Sequence, residues 1–263
     1  MLMNLIGGPF QHAHSSTWWK KSKYIEWNKN NFSESISFYV DESIIMGMYD
    51  QFNGKKYAWN LESGAIFNPS DIFKSINQLI ATYELIFTMN KDLIKLNPDK
   101  IKFIPAMGFW IENPQIYNKS KLISMISSSK GSTDGQRLRL KFIADNRGKF
   151  DLFGRGFNEI KLKEEGLADY MFSVAIENDK YDDYFTEKIL DCFASGTIPI
   201  YHGTNNIGNY FNSNGIINLN EFDINNLTPE LYYSKMEYVK ENFEKVLKME
   251  VLEDVIYEKY FMI

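Results

Sequence analysis

One polar segment of the chain combines residue types that bind both sugar hydroxyls and phosphates. It spans residues 177–189 and reads Glu-Asn-Asp-Lys-Tyr-Asp-Asp-Tyr-Phe-Thr-Glu-Lys-Ile. Apolar runs at residues 172–176 and 189–194 flank it, which places it between a buried strand and a helix. A helix start offers backbone N–H groups and a positive dipole end to a phosphate. A carboxylate there accepts from sugar hydroxyls, and an ammonium group pairs with a diphosphate.

These residues also carry a resemblance. The order Glu177-Asn178, then Asp183 to Ile189, then Gly196-Thr-Ile-Pro-Ile-Tyr201, resembles the donor-binding signature of the α1,3/4-fucosyltransferase family, which is glycosyltransferase family ten. The resemblance implies an inverting, sugar-nucleotide-dependent enzyme of the α/β class with the GT-B fold. In that fold two Rossmann-like domains face a cleft, and the C-terminal helix crosses back to the first domain.

The resemblance assigns a donor pocket to the polar segment. Glu187 is expected on the ribose hydroxyls and Lys188 on the diphosphate. Without the wider motif, Glu187 would read as a capping carboxylate and Lys188 as a solvated helix residue. The donor residues predicted within the segment are Glu177, Asn178, Tyr184, Thr186, Glu187 and Lys188.

Two further donor residues are predicted upstream. Arg139 lies in the helix expected over residues 136–146, where a guanidinium can clamp two diphosphate oxygens. The family has one such arginine, and the spacing to the turn at Gly154 favours Arg139 over Arg137. Gly154-Arg155-Gly156 lacks the third glycine of a Rossmann loop. The resemblance implies that Gly154 lies near the nucleotide, although a plain tight turn explains it equally well.

The acceptor side must supply a general base, because an inverting transfer needs a group that takes the proton of the attacking hydroxyl. Glu62 is the candidate, since it follows a predicted strand over residues 56–61 and family members carry a catalytic Glu at a matching strand end. Asp41 and Glu42, after the strand over residues 35–40, are alternatives. His12 is another, because a neutral imidazole accepts protons near pH 7.

The resemblance implies GDP-β-L-fucose as donor and an α1,3-type fucoside of a glycan as product. A different GDP-sugar, or a sugar-nucleotide- or glycan-binding protein without catalysis, is the alternative. The sequence contains no Asp-x-Asp motif, the usual diphosphate anchor of metal-dependent GT-A enzymes. This favours a reaction without a metal or other cofactor, in which Arg139, Lys188 and helix N–H groups hold the diphosphate. His12 and His14 lack a third ligand nearby, which argues against a metal site.

Composition narrows the class of protein and its partners. The chain has 263 residues, 44% of them hydrophobic, which suffices for one large domain or two small ones. Its net charge of −5 argues against a general nucleic-acid partner. The single cysteine, Cys192, excludes an intramolecular disulfide and fits a reducing compartment. No apolar run reaches the roughly 20 residues of a membrane span. We expect a cytoplasmic enzyme of the bacterial or viral type, compatible with peripheral membrane contact.

Strand and helix patterns alternate along the chain, which predicts parallel sheets. Residues 1–115 are expected to form the acceptor-side Rossmann-like domain, with a helix beginning at residues 68–71. Residues 116–235 are expected to form the donor-binding domain. Residues 236–263 read as a C-terminal helical segment.

Overall fold

A computed structural model describes residues 1–8, 11, 13–64, 75–105 and 108–262. The chain divides into two compact units. Unit 1 comprises Met1–Gly108 with Glu250–Ile263, and unit 2 comprises Phe109–Met249. The sequence had suggested divisions near residues 115 and 235. The expected helix start at residues 68–71 and the alternative base His12 lie outside the described residues.

Unit 1 is built on a six-stranded sheet in which every pairing is parallel. The strand order is β2-β1-β3-β4-β5-β6. The strands are β1 Leu2–Gly7, β2 Glu26–Lys29, β3 Ile36–Val40, β4 Lys55–Asn60, β5 Ile86–Thr88 and β6 Ile101–Phe103. The helices are α1 Ser43–Gly47, α2 Ile76–Thr82 and α3 Lys91–Leu96. Because the strands are parallel, the segments that follow β3, β4 and β5 lie at one edge of the sheet.

The last helix of unit 1, Leu252–Tyr260, comes from the far end of the described chain. Its Glu253 is fully buried and accepts hydrogen bonds from the Ser16 backbone N–H (2.8 Å), the Ser16 hydroxyl (2.7 Å) and the Trp27 indole N–H (3.0 Å). Three donors satisfy a carboxyl group that burial would otherwise penalise. The expected return of the C-terminal helix to the first domain is confirmed.

Unit 2 contains a five-stranded parallel sheet with the order β11-β10-β9-β7-β8. Its strands are β7 Lys121–Ile126, β8 Asp151–Phe153, β9 Tyr170–Ile176, β10 Ile198–His202 and β11 Ile217–Asn218. Its helices are α4 Asp134–Asp145, α5 Glu187–Ala194, α6 Pro229–Ser234 and α7 Met236–Leu247, and Leu252–Tyr260 of unit 1 is α8. The predicted class of two parallel α/β units is confirmed.

The strand order of unit 2 reverses between β7 and β9. The chain passes from β7 to β8 on one side, and then from β9 to β10 and β11 on the other. Open α/β sheets bind ligands at the carboxyl ends of the strands where such a reversal occurs. The loops after Ile126 and Ile176 therefore form the expected ligand edge of this sheet.

A buried lysine, Lys119, joins the segments that lead into the strands at this reversal. Lys119 donates to the carbonyl oxygens of Leu167 (3.0 Å), Ala168 (3.0 Å) and Ser195 (2.8 Å), and to the Thr197 hydroxyl (2.9 Å). Burial lowers the pKa of Lys119 to about 7. The lysine thus ties together the segments that lead into β7, β9 and β10.

In the described part of the chain, no helix has both the length and the apolar character needed to cross a bilayer.

Candidate functional site

Hydrogen bonds between Glu177 and Thr186 join the two ends of the polar segment 177–189, and we call this contact the clasp. Glu177 is fully buried at the end of β9, and its carboxylate accepts from the Thr186 N–H (2.9 Å) and the Thr186 hydroxyl (2.7 Å). The Lys188 ammonium lies 3.6 Å from the same carboxylate. A buried charge persists only when it is paired in this way. Glu177 therefore fixes the start of α5 relative to the strand that precedes it.

Glu187 and Lys188 form the first turn of α5. The Lys188 Nζ donates to the Thr186 hydroxyl (2.9 Å) and to Glu187 Oε1 (3.2 Å). Burial alone would raise the pKa of Glu187. The charges of Lys188 and Lys163, with hydrogen bonds from Lys188 and Thr186, outweigh it and lower that pKa to about 2. Glu187 is consequently an ionised hydrogen-bond acceptor at neutral pH, next to a cation at a helix start.

Arg139 joins helix α4 to the same strand end. Its side chain is buried, with Nε donating to the Ile176 carbonyl (2.9 Å) and Nη2 donating to Asn178 Oδ1 (2.5 Å). Asn178 is thereby held in one orientation beside the segment. Arg139 and Asn178 were both predicted to lie in the donor pocket. In the structure the two side chains are hydrogen-bonded, and the arginine orients the asparagine.

The start of α4 approaches the strand end so closely that only glycine fits. A Cβ atom on Gly135 would lie 1.8 Å from the Glu177 carbonyl oxygen. Gly154 meets a similar constraint, since its φ is +108° and a Cβ there would lie 2.0 Å from the Ser127 carbonyl oxygen. The close approach of two loops therefore explains why position 154 is a glycine. Its predicted nearness to the nucleotide stays a prediction.

Tyr184 and its neighbours shape the middle of the segment. Tyr184 is fully buried and stacks on Tyr181, with ring centroids 4.8 Å apart. Asp183 has a φ of +66°, which is unusual for a residue other than glycine. Its N–H donates to Thr204 Oγ1 (3.1 Å) and Asn206 Oδ1 (2.9 Å), so the loop after β10 holds this conformation.

In unit 1, the two candidate carboxylates Asp41 and Glu62 follow neighbouring strands. Asp41 is only 6% exposed, and its Oδ1 accepts from the backbone N–H groups of Leu61 (2.7 Å) and Glu62 (2.9 Å). Burial raises the pKa of Asp41 to about 7, against the lowering effect of these N–H groups and of Asn60. Asp41 therefore fixes the backbone from which the half-buried Glu62 side chain extends.

The remaining alternative, Glu42, is exposed and directly precedes α1. The roles assigned to Glu62 and to the donor residues stay predictions. Among the described residues, no three His, Cys, Asp or Glu side chains are grouped so that they could hold a metal ion.

Asp191 and Lys163 are part of this site, and the sequence reasoning missed both. Asp191 lies on α5, and its Oδ1 accepts from the Trp110 backbone N–H (2.5 Å) while Oδ2 lies 3.6 Å from the Lys163 Nζ. Burial raises the pKa of Asp191 to about 7, although Lys163 opposes the shift. An acid within the apolar run 189–194 was an available signal for Asp191. Lys163 sits in a polar stretch that offered none.

Two curated proteins that resemble part of this chain in sequence are fucosyltransferases. An α-(1,3)-fucosyltransferase, FucT of Helicobacter pylori, is 40% identical over 67 residues, which cover 26% of this chain and 14% of that protein. An α-(1,4)-fucosyltransferase of Arabidopsis thaliana is 34% identical over 56 residues, or 21% of this chain and 14% of that protein. The chain thus matches about one seventh of the length of these curated relatives.

Solved structures show the same fold over nearly the whole chain. A crystal structure of an α1,3-fucosyltransferase superposes with a TM-score of 0.53 at 15% identity, covering 98% of this chain and 87% of that one. The same kind of enzyme with GDP-fucose gives 0.50 at 16% identity, covering 94% and 81%. Anabaena HepE in complex with UDP-glucose gives 0.53 at 8% identity, covering 99% and 95%. At these identities the likeness establishes the fold, which is GT-B.

The decisive match covers the whole of the ligand edge of unit 2. Residues 116–249, which are 134 of the 263, fit the C-terminal model of glycosyltransferase family 10 (fucosyltransferase). They include the strand reversal, Arg139 and the clasped segment with Glu187 and Lys188. The chain belongs to glycosyltransferase family 10, the fucosyltransferase family.

Proposed function

We propose that this chain transfers L-fucose from GDP-β-L-fucose to a glycan hydroxyl, in an α1,3-type linkage and with inversion at the anomeric carbon. Unit 2 takes the donor and unit 1 the acceptor. Family membership and the names of the relatives support this, as does the fold shared with a transferase that holds GDP-fucose. The observation that carries the proposal is the pair Glu187 and Lys188, an ionised acceptor and a cation in one helix turn at the ligand edge.

Glu187 and Lys188 contact different parts of the nucleotide. The Glu187 carboxylate accepts hydrogen bonds from the ribose hydroxyls, which requires the ionised form that its lysine neighbours maintain. Lys188 and the N–H groups at the start of α5 contact the diphosphate. Asn178 and Tyr184 form the wall of the pocket, and Glu177 with Thr186 keeps the helix start in place.

Arg139 supports the leaving group in two ways. Its charge lies buried at the strand end, where a preorganised cation stabilises negative charge that develops on the diphosphate. Its hydrogen bonds to the Ile176 carbonyl and to Asn178 hold the pocket wall in register. Gly154 keeps the loop after β8 close to the loop after β7, which leaves the edge open to the nucleotide.

The chemical step is a single displacement. The acceptor oxygen forms a bond to the anomeric carbon as the bond from that carbon to the phosphate oxygen breaks, and GDP departs. Glu62 takes the proton from the acceptor hydroxyl. Asp41 serves as a support for this base, because its Oδ1 already binds the backbone N–H groups of Leu61 and Glu62.

The test combines nucleotide binding with turnover. A ligand that binds only the folded state raises stability by RT ln(1 + [L]/Kd), so GDP should raise the melting temperature and UDP should not. GDP-fucose should be consumed with a glycan acceptor panel, and the product should be an α-fucoside by NMR. Activity should persist with excess chelator, because cationic side chains hold the diphosphate.

Three results would contradict parts of this proposal. If no nucleoside diphosphate raises the melting temperature at saturation, the donor pocket is misassigned. GDP binding without transfer or donor hydrolysis would indicate a binding protein that lacks catalysis. Loss of activity with chelator and its rescue by manganese would show that the reaction needs a metal.

A further inference from the structure

Asp183, in the middle of the polar segment, is buried and adopts a backbone conformation that its residue type disfavours. Its φ of +66° lies in the left-handed region, which is open to glycine and unfavourable for a residue with a Cβ atom. The segment 177–189 contains no glycine. Contacts with another part of the chain must therefore stabilise the bend at this position.

The partners of Asp183 lie in the loop that follows β10, 21 to 27 residues further along the chain. Asn206 contacts Asp183 at two points, because its Oδ1 accepts from the Asp183 N–H (2.9 Å) and its Nδ2 donates to Asp183 Oδ1 (2.9 Å). The Tyr210 hydroxyl donates to the same Oδ1 (2.6 Å). Thr204 Oγ1 accepts from the Asp183 N–H (3.1 Å) and donates to Asn206 Oδ1 (2.5 Å). One loop thus holds both the backbone and the side chain of Asp183.

Tyr210 also contacts a second residue of the segment. Its ring packs on that of Phe185, with the two centroids 4.8 Å apart. The buried Tyr184 lies between Asp183 and Phe185 in the sequence, and Thr186 of the clasp follows directly. The position of Tyr184 and the start of α5 therefore depend on the loop after β10.

The bend affects nucleotide binding through the residues that it places. We propose that Asn206 and Tyr210 are positioning residues of the donor site, which hold the bend at Asp183 so that Tyr184 and the start of α5 meet the nucleotide. Without their hydrogen bonds, Asp183 relaxes toward negative φ in the free protein. Nucleotide binding must then restore the bend, and the apparent Kd rises as the binding-competent fraction falls. This inference rests on the proposed donor site.

Calorimetry with GDP on folded variants measures the effect. Asn206→Ala removes both contacts of the amide and should weaken GDP binding about five- to thirtyfold, the factor that corresponds to the cost of a left-handed residue with a Cβ atom. Tyr210→Phe removes one hydrogen bond and keeps the ring on Phe185, so it should weaken binding less. Asn205→Ala, at the exposed neighbouring residue, should bind GDP as wild type does.

A glycine at position 183 distinguishes positioning from a general loss of structure. Glycine populates positive and negative φ about equally, so Asp183→Gly combined with Asn206→Ala should bind GDP within about twofold of wild type, although it restores no hydrogen bond. Asp183→Ala combined with Asn206→Ala keeps a Cβ atom and should stay weak. The two double variants differ by one methyl group, which makes them matched controls for each other.

The outcomes separate this inference from the donor assignment. Wild-type GDP affinity in folded Asn206→Ala and Tyr210→Phe proteins overturns the inference. So does a double variant with glycine that binds GDP as weakly as its alanine counterpart, because the loss then has a cause other than the bend. If Asn206→Ala does not fold, Tyr210→Phe with and without Asp183→Gly makes the same comparison. Wild-type protein that binds no GDP overturns the proposed donor site itself.

Discussion

Asp41 in unit 1 and Glu187 in unit 2 are equally buried, with 6% exposure each, yet the pKa of Asp41 is raised and that of Glu187 is lowered. Burial raises the pKa of both groups. Asp41 accepts from the neutral N–H groups of Leu61 and Glu62 and its pKa is about 7, whereas the charges of Lys188 and Lys163 lower the pKa of Glu187 to about 2. The comparison shows that the partners of a buried carboxyl group, more than its depth, decide its charge state.

The difference matches the division of work that we propose. In that proposal Glu62 takes the proton on the acceptor side while Asp41 holds the Glu62 backbone, and Glu187 is the permanently charged acceptor for ribose on the donor side. Unit 1 contains no lysine contact to Asp41 among its described hydrogen bonds, and the charge of Glu62 raises the Asp41 pKa further. In unit 2, Glu187 instead contacts the Lys188 ammonium, and the charges of Lys188 and Lys163 lower its pKa.

The largest effect is expected for Glu62→Gln, which breaks the comparison on the acceptor side. The amide keeps shape and polarity but cannot accept the proton, so kcat should fall by roughly 10²–10⁴. GDP affinity should change little, because the donor is held by unit 2. Steady-state kinetics and calorimetry measure the two quantities. Glu42→Gln, at an exposed site, is the control. Near wild-type kcat in Glu62→Gln would place the base elsewhere.

A smaller effect is expected for Lys188→Ala, which removes the nearest cation on the donor side. The variant should lose about 1.5–3 kcal/mol of GDP binding free energy, as for a charge-assisted hydrogen bond. Lys180→Ala, at an exposed lysine in the same segment, should bind GDP as wild type does. Unchanged GDP affinity in a folded Lys188→Ala protein would remove this lysine from the donor site.

The smallest effect concerns stability, and it tests the comparison directly. Between pH 5 and 7 the folded state retains the Asp41 proton and the unfolded state has lost it, so this group makes wild-type stability fall as pH rises. Asp41→Asn should remove a slope of at most about 1.4 kcal/mol per pH unit. Because the pKa of Asp191 is also raised to about 7, Asp191 contributes a similar dependence of stability on pH in wild type and in every variant.

Glu187→Gln provides the opposite case. The stability contributed by a lowered pKa is fully present above the unfolded value and is lost only as pH falls toward 2. This variant should therefore keep the wild-type slope between pH 5 and 7. Urea denaturation at several pH values measures both slopes. Equal slopes in Asp41→Asn and wild type would show that Asp41 is ionised in the folded protein.

Features whose interacting residues lie close together along the chain could be predicted from the sequence better than contacts between distant residues. The buried strand predicted over residues 172–176 and the polar segment 177–189 that follows it were predictable, because their apolar pattern and motif are local. The clasp of Glu177 on Thr186 spans nine residues, and the sequence indicated its members without their contact. Glu177 was predicted in the donor pocket, and the structure adds that it binds the backbone N–H and the hydroxyl of Thr186.

Contacts between distant elements were not predictable. Asp41 reads as a rival base in the sequence, since nothing local shows that it binds N–H groups 20 and 21 residues away. The pairing of Lys163 with Asp191 depends on how a short 3-10 turn at Lys163–Gly166 packs beside α5. Such contacts depend on tertiary packing, to which a single sequence gives no direct access.

The hydrogen bonds of Glu253 to Ser16 and Trp27 have a consequence for the order of assembly on the ribosome. Ser16 and Trp27 precede Glu253 by 237 and 226 residues in the chain. They can therefore donate to its carboxyl group only after the helix 252–260 has been synthesised. Residues 109–249 form a unit that is continuous in sequence and can fold during synthesis. Unit 1 is thus completed after unit 2, and its strands remain without the helix 252–260 while unit 2 is synthesised.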